Sequence, residues 1–389
     1  MTYDVIILGA GAAGLMCAAK AGQRGRRVLL IEQSEAPGKK ILISGGGRCN
    51  FTNVGARADR FLSKNPHFAK SALGRYPAQD FIALVDAHQI AWHEKTLGQL
   101  FCDGSARQIV DMLLSQCPEI VTLRLGAVVT QINHADGRYT VSLDGQDFTA
   151  PALVIATGGP SIPKMGATGF AYDVARQFGL KVVEPRPALV PLTLGGDDVL
   201  FRDLSGVAAP TIVRHGTTRF EEASLFTHRG LSGPAILQIS SYWRSGDPIG
   251  VNFLPGADAS AVLIAAKRTT PRATLRSTLG AHLPARLADA LAGRLPTPGN
   301  LADTPDSLLV DAGRVLNDWT FRPNGTEGFA KAEVTIGGVD TDGLDQRTLA
   351  AKHIPGLHFI GEAVDVTGWL GGYNFQWAWA SGVAAGEGV

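Results

Sequence analysis

The chain is short of the features that would tie it to a metal, a membrane or a polyanion. It has only four cysteines, Cys17, Cys49, Cys102 and Cys117. None forms a CxxC pair and no Cys/His spacing resembles a zinc site, so no metal centre is expected. So few, scattered thiols suit a reducing cytoplasm, and Cys17 reads as a small buried hydrophobe in a helix. Charge of one sign is also lacking: 36 Lys+Arg against 35 Asp+Glu leave a net charge of +1. Nothing in that balance demands a polyanion, and nucleic acid is not expected as a partner. No apolar run reaches the roughly 18 residues of a membrane span, so no membrane partner is expected either. The N-terminus has no basic n-region and its apolar stretch is broken by glycines, unlike a signal peptide. What remains is an ordinary globular composition, 45% hydrophobic and 18% charged, in 389 residues. That length suffices for two or three domains, and nothing in it sets an oligomeric state.

Against these absences stands one dense block. Tyr3 to Leu8 is a short apolar run suited to a buried parallel strand. Gly9-Ala10-Gly11-Ala12-Ala13-Gly14 then reads GxGxxG, a small-residue helix follows to about Arg24, and Val28 to Ile31 is a second strand ending in Glu32. A lone GxGxxG is weak, but strand, loop, helix, strand and acid in this order are what a dinucleotide-binding βαβ unit requires. Gly9 permits the tight turn, Gly11 lets the backbone approach a pyrophosphate, and Gly14 lets helix and strand pack closely. The amides near Ala12 and Ala13 face the phosphates with the positive end of the helix. Glu32, with Gln33 beside it, is placed to hold a ribose diol.

Further glycine-rich sites follow. Ser44-Gly45-Gly46-Gly47-Arg48-Cys49-Asn50-Phe51-Thr52-Asn53 predicts a concave backbone loop whose amides contact phosphate or flavin edges. In it Arg48 can neutralise pyrophosphate, and Asn50 and Asn53 can offer amides to a polar ring edge. Helices are expected over Ala78 to His88 and Ala106 to Cys117, and a strand hairpin turns at Asp136-Gly137. Ala152 to Ile155 is a buried strand leading into Thr157-Gly158. Prolines 185, 187 and 191 mark a boundary. Residues 191–255 read as β-rich, and 256–324 as helical, with Leu275, Leu279, Leu283, Leu287 and Leu291 at four-residue spacing. Lys267, Arg268, Arg272, Arg276, Arg286 and Arg294 give that helical stretch a basic face. It lacks interleaved aromatics and reads first as solvated surface. The tail returns to α/β grammar with Leu357 to Glu362, then Gly371-Gly372-Tyr373-Asn374-Phe375, glycines running straight into a helix.

GxGxxG with Glu32, the strand end at Thr157-Gly158 and the one at Gly361-Glu362 together resemble the two-dinucleotide-binding-domain flavoproteins. More narrowly, Gly38-Lys39-Lys40, Ser44 to Asn53, LFTHRGLSGP from Leu225, VTIGGV from Val334 and GGYNFQWAWASG from Gly371 resemble the BaiN/YhiN-like flavoproteins. These are often labelled aminoacetone oxidase family FAD-binding enzymes, and the match runs the full length. The resemblance implies an α/β, Rossmann-type FAD domain, 1–190 with 325–389, split around a small β-barrel-like domain, 191–255, and a helical one, 256–324. It implies that Glu32 holds the adenosine ribose, that Lys40, Gly46 and Arg48 line the cofactor, and that the Val129 backbone meets adenine. Gly361 and Glu362 match the second pyrophosphate and ribityl contact. Gly372, Asn374 and Phe375 would bring helix amides to the flavin's pyrimidine edge. Where relatives carry small or polar residues before Gly-Gly-Tyr-Asn, this chain has Trp369-Leu370, which would narrow the substrate face.

The expected function is that of a flavin-dependent oxidoreductase with a small-molecule substrate and NAD(P)H as a candidate electron donor. No second βαβ fingerprint exists to hold NAD(P)H on a domain of its own. Catalytic side chains are not assignable; Cys49, Tyr373 and His228 are candidates that read more readily as structural. Two alternatives stand beside this: a flavin-dependent tRNA-modifying enzyme using the basic helical face, and a flavin-binding redox sensor that turns nothing over.

Overall fold

Val5–Leu8 and Val28–Ile31 are aliphatic at every position, the pattern of strands covered on both faces. The computed structural model, which describes residues 2–297 and 299–389, buries both completely. They lie in a five-stranded sheet ordered Leu357–Phe359, Ala152–Ile155, Val5–Leu8, Val28–Ile31, Val121–Arg124, with every pairing parallel. Val5 faces Ala152 on one side and Val28 on the other, so the first strand is central. Because the strands are parallel, Gly9, Glu32, Thr157 and Gly361 all emerge at one edge of the sheet. That carboxyl edge is where open α/β sheets place their ligands.

The two ends of the chain are joined by helix packing. The last helix, Tyr373–Gly388, lies on the opening helix, Ala12–Gln23. Gly382 and Gly386, one turn apart, make this possible. A Cβ at Gly382 would sit 2.6 Å from the Ala13 carbonyl oxygen, and one at Gly386 2.8 Å from that of Cys17. A three-stranded antiparallel meander, Val129–Ala135, Arg138–Leu143 and Gln146–Ala150, feeds the strand Ala152–Ile155. Its first turn puts Asp136 and Gly137 at φ 52° and 70°, as the Asp-Gly pair predicts. The glycine run is tighter than a concave loop. Gly45, Gly46 and Gly47 all take left-handed φ, 57°, 67° and 86°, directly after a short helix, Lys39–Ile43.

By contacts the chain divides into two compact units, the residues up to Arg186 with Glu333–Val389, and Pro187–Ala332. The second holds a seven-stranded sheet ordered Trp319–Phe321, Ile249–Asn252, Ala208–His215, Thr218–Phe226, Gly230–Ser232, Leu192–Leu194, Pro323–Thr326. Its two outer strands are separated in sequence by Arg322 alone. The change of composition at 256 predicts separate β-rich and helical inserts. In the structure they form one unit, because the chain leaves the helices at Asn317 and returns to the sheet through Trp319, which pairs with Val251. Phe201, Phe226, Phe253, Trp319 and Phe321 close its core, with Phe201 and Phe321 centroids 5.0 Å apart.

Gly382→Val is expected to cost about 1–3 kcal/mol by forcing the terminal helices apart. Urea unfolding checks this, and an unchanged midpoint would show that the close approach is not needed. A second expectation concerns His358, buried on the edge strand, where Nδ1 donates to the Thr348 carbonyl at 2.9 Å. Burial holds its pKa below the usual 6.5. As pH falls below 6.5, the unfolded chain takes a proton that the folded one refuses, so stability declines down to the folded pKa. His358→Gln should flatten that slope in urea titrations at successive pH values.

Candidate cofactor site

The glycines of the first turn are held by contact. A Cβ at Gly9, at φ 102°, would lie 2.6 Å from the Ala156 carbonyl oxygen, and one at Gly14 1.8 Å from that of Gly9. Gly11 differs, with nothing within 4 Å of its Cβ position. The opening helix makes its first backbone bond from Leu15 to Gly11 and has no side-chain cap, so the amides of Ala12 and Ala13 face outward from an open cradle. Glu32 is half-buried at the next strand end. Its Oε2 accepts from the Ala10 amide and its Oε1 from Ser34, both at 2.9 Å. Its carboxylate is thus fixed beside the loop with further lone pairs to offer. Gln33 turns elsewhere, donating to the Gly166 carbonyl at 2.6 Å.

Glu362 is the most densely bonded group at this edge. Oε1 accepts from the Ser161 hydroxyl at 2.7 Å and the Thr335 amide at 3.0 Å, while Oε2 meets Lys40 Nζ at 2.7 Å. Lys40 Nζ also donates to Ser161 Oγ at 2.5 Å. Three distant segments are therefore joined by one carboxylate, in a polar cluster next to Gly158, at φ 73°. Sequence reasoning missed Ser161 and Thr335, since neither stands in a motif that announces a carboxylate. The buried hydroxyls of Thr157, Tyr172 and Thr335 have no partner among the described residues. Burial, then the carboxylates of Glu362 and Asp365, pushes the Tyr172 phenol up.

Gly361 departs from its expected role. Its amide, the donor a pyrophosphate would need, is given to Ser381 Oγ at 3.0 Å, and its carbonyl accepts from Trp377 at 2.9 Å, so the last helix uses both groups. The Asn374 side chain is spent on the Gly368–Trp369 backbone, so its main-chain amide, the group expected at the flavin edge, is what remains for a ligand. The helix it opens has no side-chain cap, and its first backbone bond runs from Gln376 to Gly372. The amides of Tyr373, Asn374 and Phe375 thus precede the first intrahelical bond. Gly372, at φ 95°, seats this end against the Thr52 carbonyl, where a Cβ would be 2.4 Å away. Phe375 stacks on Trp379 at 5.6 Å. Gly46 and Arg48 are exposed, and the Asn50 side chain meets that of Gln99 at 3.3 Å. Asn53 is buried and donates to the Leu97 and Gly371 carbonyls. Val129 pairs with Leu143 at the start of the meander.

The basic helical face is largely committed to structure. Lys267 pairs with Asp306 and Arg276 with Asp289. Arg286 donates to the Asp203 carbonyl, and Arg294 lies over Phe201 at 4.4 Å while donating to the Asp197 carbonyl.

A family model described as the HI0933-like protein Rossmann domain matches residues 3–388. The chain belongs to this family. It is a family of FAD-binding Rossmann flavoproteins, and the chain is a flavin-dependent oxidoreductase within it. The chain is 51% identical over 399 residues to the ribosomal RNA dihydrouridine synthase of Escherichia coli (strain K12), covering 99% of this chain and 97% of the relative. It is 44% identical to the protein of the same name from Haemophilus influenzae, covering 97% and 96%. It is 29% identical to the 3-dehydro-bile acid delta(4,6)-reductase of Clostridium scindens, covering 98% and 97%. None of these three is named for aminoacetone, so that narrower label gives way. The expectation of a small-molecule substrate with no nucleic-acid partner is overturned by the two relatives named for ribosomal RNA. Net charge is an average over the surface and carries no information on a local RNA contact. Among the described residues no helix is long and apolar enough to cross a membrane.

Cys49 loses its claim as a nucleophile. It is buried at φ 53°, and burial pushes its thiol far up, only partly offset by Ser44. Burial also raises Cys102 and Cys117 to about 11. Ellman's reagent at about pH 8 should therefore leave Cys49 unmodified until the protein unfolds, since only the thiolate reacts. Fast native-state labelling at Cys49, located by peptide mass, would restore it as a candidate.

Proposed function

We propose that this chain is a ribosomal RNA dihydrouridine synthase that saturates the C5=C6 bond of a uridine. The observation that carries this is full-length identity of 51% to a protein of that name. Chemistry supports it as well. Uracil and a 3-oxo bile acid with a conjugated double bond share one reactive unit, C=C–C=O, and both relatives' names describe its reduction. FAD, when bound, supplies the hydride for such a reduction.

The protein's part is to hold the cofactor and aim the substrate. We assign Glu32 to the adenosine ribose, the Ala12 and Ala13 amides to pyrophosphate across the open face of Gly11, and the Val129 backbone to adenine. Gly46 and Arg48 flank the phosphates. Thr157 and Gly158 lie by the ribityl chain, where the unpartnered Thr157 hydroxyl supports a polar ligand. Glu362 acts here chiefly as a clamp on Lys40, Ser161 and Thr335, with lone-pair capacity left for one ribityl hydroxyl. The amides of Asn374 and Phe375 face the pyrimidine edge of the flavin, where the helix N-terminus favours negative charge. NAD(P)H serves as electron donor without a nucleotide domain of its own, and an RNA substrate puts the enzyme in the cytoplasm.

The test uses purified, yellow protein, NADH or NADPH, and ribosomal RNA transcribed in vitro. Dihydrouridine should appear at a defined position, read by mass spectrometry of nuclease fragments, and RNA affinity should fall as salt rises. Flavin that is reduced and reoxidised while every uridine stays unsaturated would overturn the proposal.

A further inference from the structure

Arg60 is a cation that meets no carboxylate among the described residues and has no part assigned in the cofactor site. It closes a short turn, Ala58–Arg60, and leads into the strand Phe61–Leu62, which pairs with Thr367–Gly368. That pairing brings Trp369 alongside, its amide donating to the Arg60 carbonyl at 3.3 Å. Asn374 then locks the turn. Its Oδ1 accepts from the Gly368 amide at 2.8 Å, and its Nδ2 donates to the carbonyls of Gly368 at 3.0 Å and Trp369 at 3.2 Å. The backbone that carries the indole is thus fixed by the chain itself.

The Arg60 guanidinium carbon lies 5.2 Å from the Trp369 ring centroid and 6.0 Å from that of Tyr373, and Nη1 donates to the Tyr373 hydroxyl at 2.6 Å. The adjacent Asp59 pairs with Arg57, and no carboxylate meets Arg60 among the described residues. A half-buried guanidinium braced by two aromatic rings, one of them through its hydroxyl, keeps N–H groups to donate and meets no carboxylate among the described residues. Its brace, Tyr373, is the first residue of the helix assigned to the flavin ring, and on that assignment the cation stands beside the ring end of the cofactor.

We propose that Arg60 stabilises the substrate carbonyl oxygen as that oxygen takes up negative charge. This rests on the reading of the protein as a reductase of C=C–C=O units. A hydride from a two-electron donor of the dihydroflavin class brings its electron pair to the β-carbon, C6 of uracil, forming a C–H bond. The C5=C6 π bond breaks and the displaced pair ends on the C4 oxygen as an enolate, to which Arg60 donates. A proton from water then forms the C5–H bond and the carbonyl returns. The substrate gains one hydride and one proton, and the donor is oxidised by two electrons.

Arg60→Met and Arg60→Lys in the full-length holoenzyme test this. After anaerobic reduction with dithionite, flavin reoxidation is followed with ribosomal RNA and, separately, with cyclohexenone. Arg60→Met should slow both about 100-fold, the loss typical of a missing oxyanion donor, and Arg60→Lys less. A phenolate, a stable enolate mimic, should show charge-transfer absorbance with the wild type's oxidised flavin and bind Arg60→Met far more weakly. Wild-type rates or wild-type phenolate affinity in Arg60→Met overturn the assignment. Wild-type enzyme that reacts with cyclohexenone and not with RNA would defeat the RNA reading and leave Arg60 judged on the enone. Reaction with neither would defeat the reductase reading, with phenolate affinity then deciding Arg60. If Arg60→Met loses its flavin, Arg60→Lys carries the same comparison.

Discussion

The carbonyl of Ala156 lies where a side chain at Gly9 would begin, and the carbonyl of Gly9 lies where one at Gly14 would begin. Three backbone segments therefore touch directly at the carboxyl edge of the parallel sheet. Once they do, the amides at the start of the opening helix can only point out over that edge. The last helix repeats the device through Gly382 and Gly386, which let it rest on the backbone of the opening helix. A domain assembled from both ends of the chain becomes one body through these contacts, and every group assigned to the cofactor inherits its position from them.

Polar bonding then divides the site into clamps and free groups. Glu362, Ser381, Trp377 and the Asn374 side chain fasten segments to each other. What they leave uncommitted is mostly main-chain, the first amides of two helices and the open face of Gly11, with the buried hydroxyls of Thr157, Tyr172 and Thr335 beside them. That division suits a cofactor held mostly by backbone, because backbone positions are set by the fold and need no rotamer to be frozen at binding. Arg60 is the charged exception, a side chain with a rigid brace and no carboxylate partner among the described residues, which is why it is assigned to the substrate.

Much of the fold was legible because its signals are local. Four-residue aliphatic runs mark buried strands, GxGxxG marks the first turn, and Asp136-Gly137 marks the hairpin. The cofactor loop was legible in composition and not in shape, since three glycines permit many conformations and packing chose consecutive left-handed ones. The hydrogen-bond partners of Gly361 and Gln33 were not legible, for a common reason. A motif names a residue, whereas its hydrogen-bond partners come from segments far away in sequence, as Ser381 does for Gly361.

The sequence by itself determined a βαβ nucleotide unit, a family of flavoproteins and the position of each glycine turn, because those depend on spacing within a few residues. The tertiary structure alone decided which polar groups remain free. It tied Lys40 to Glu362, buried Cys49, turned the basic helical face to structural use, and set Arg60 on Trp369 and Tyr373. Satisfaction of a hydrogen bond or a charge is a property of neighbours in space, and those neighbours stand up to some three hundred residues apart along the chain, as Arg60 and Tyr373 do.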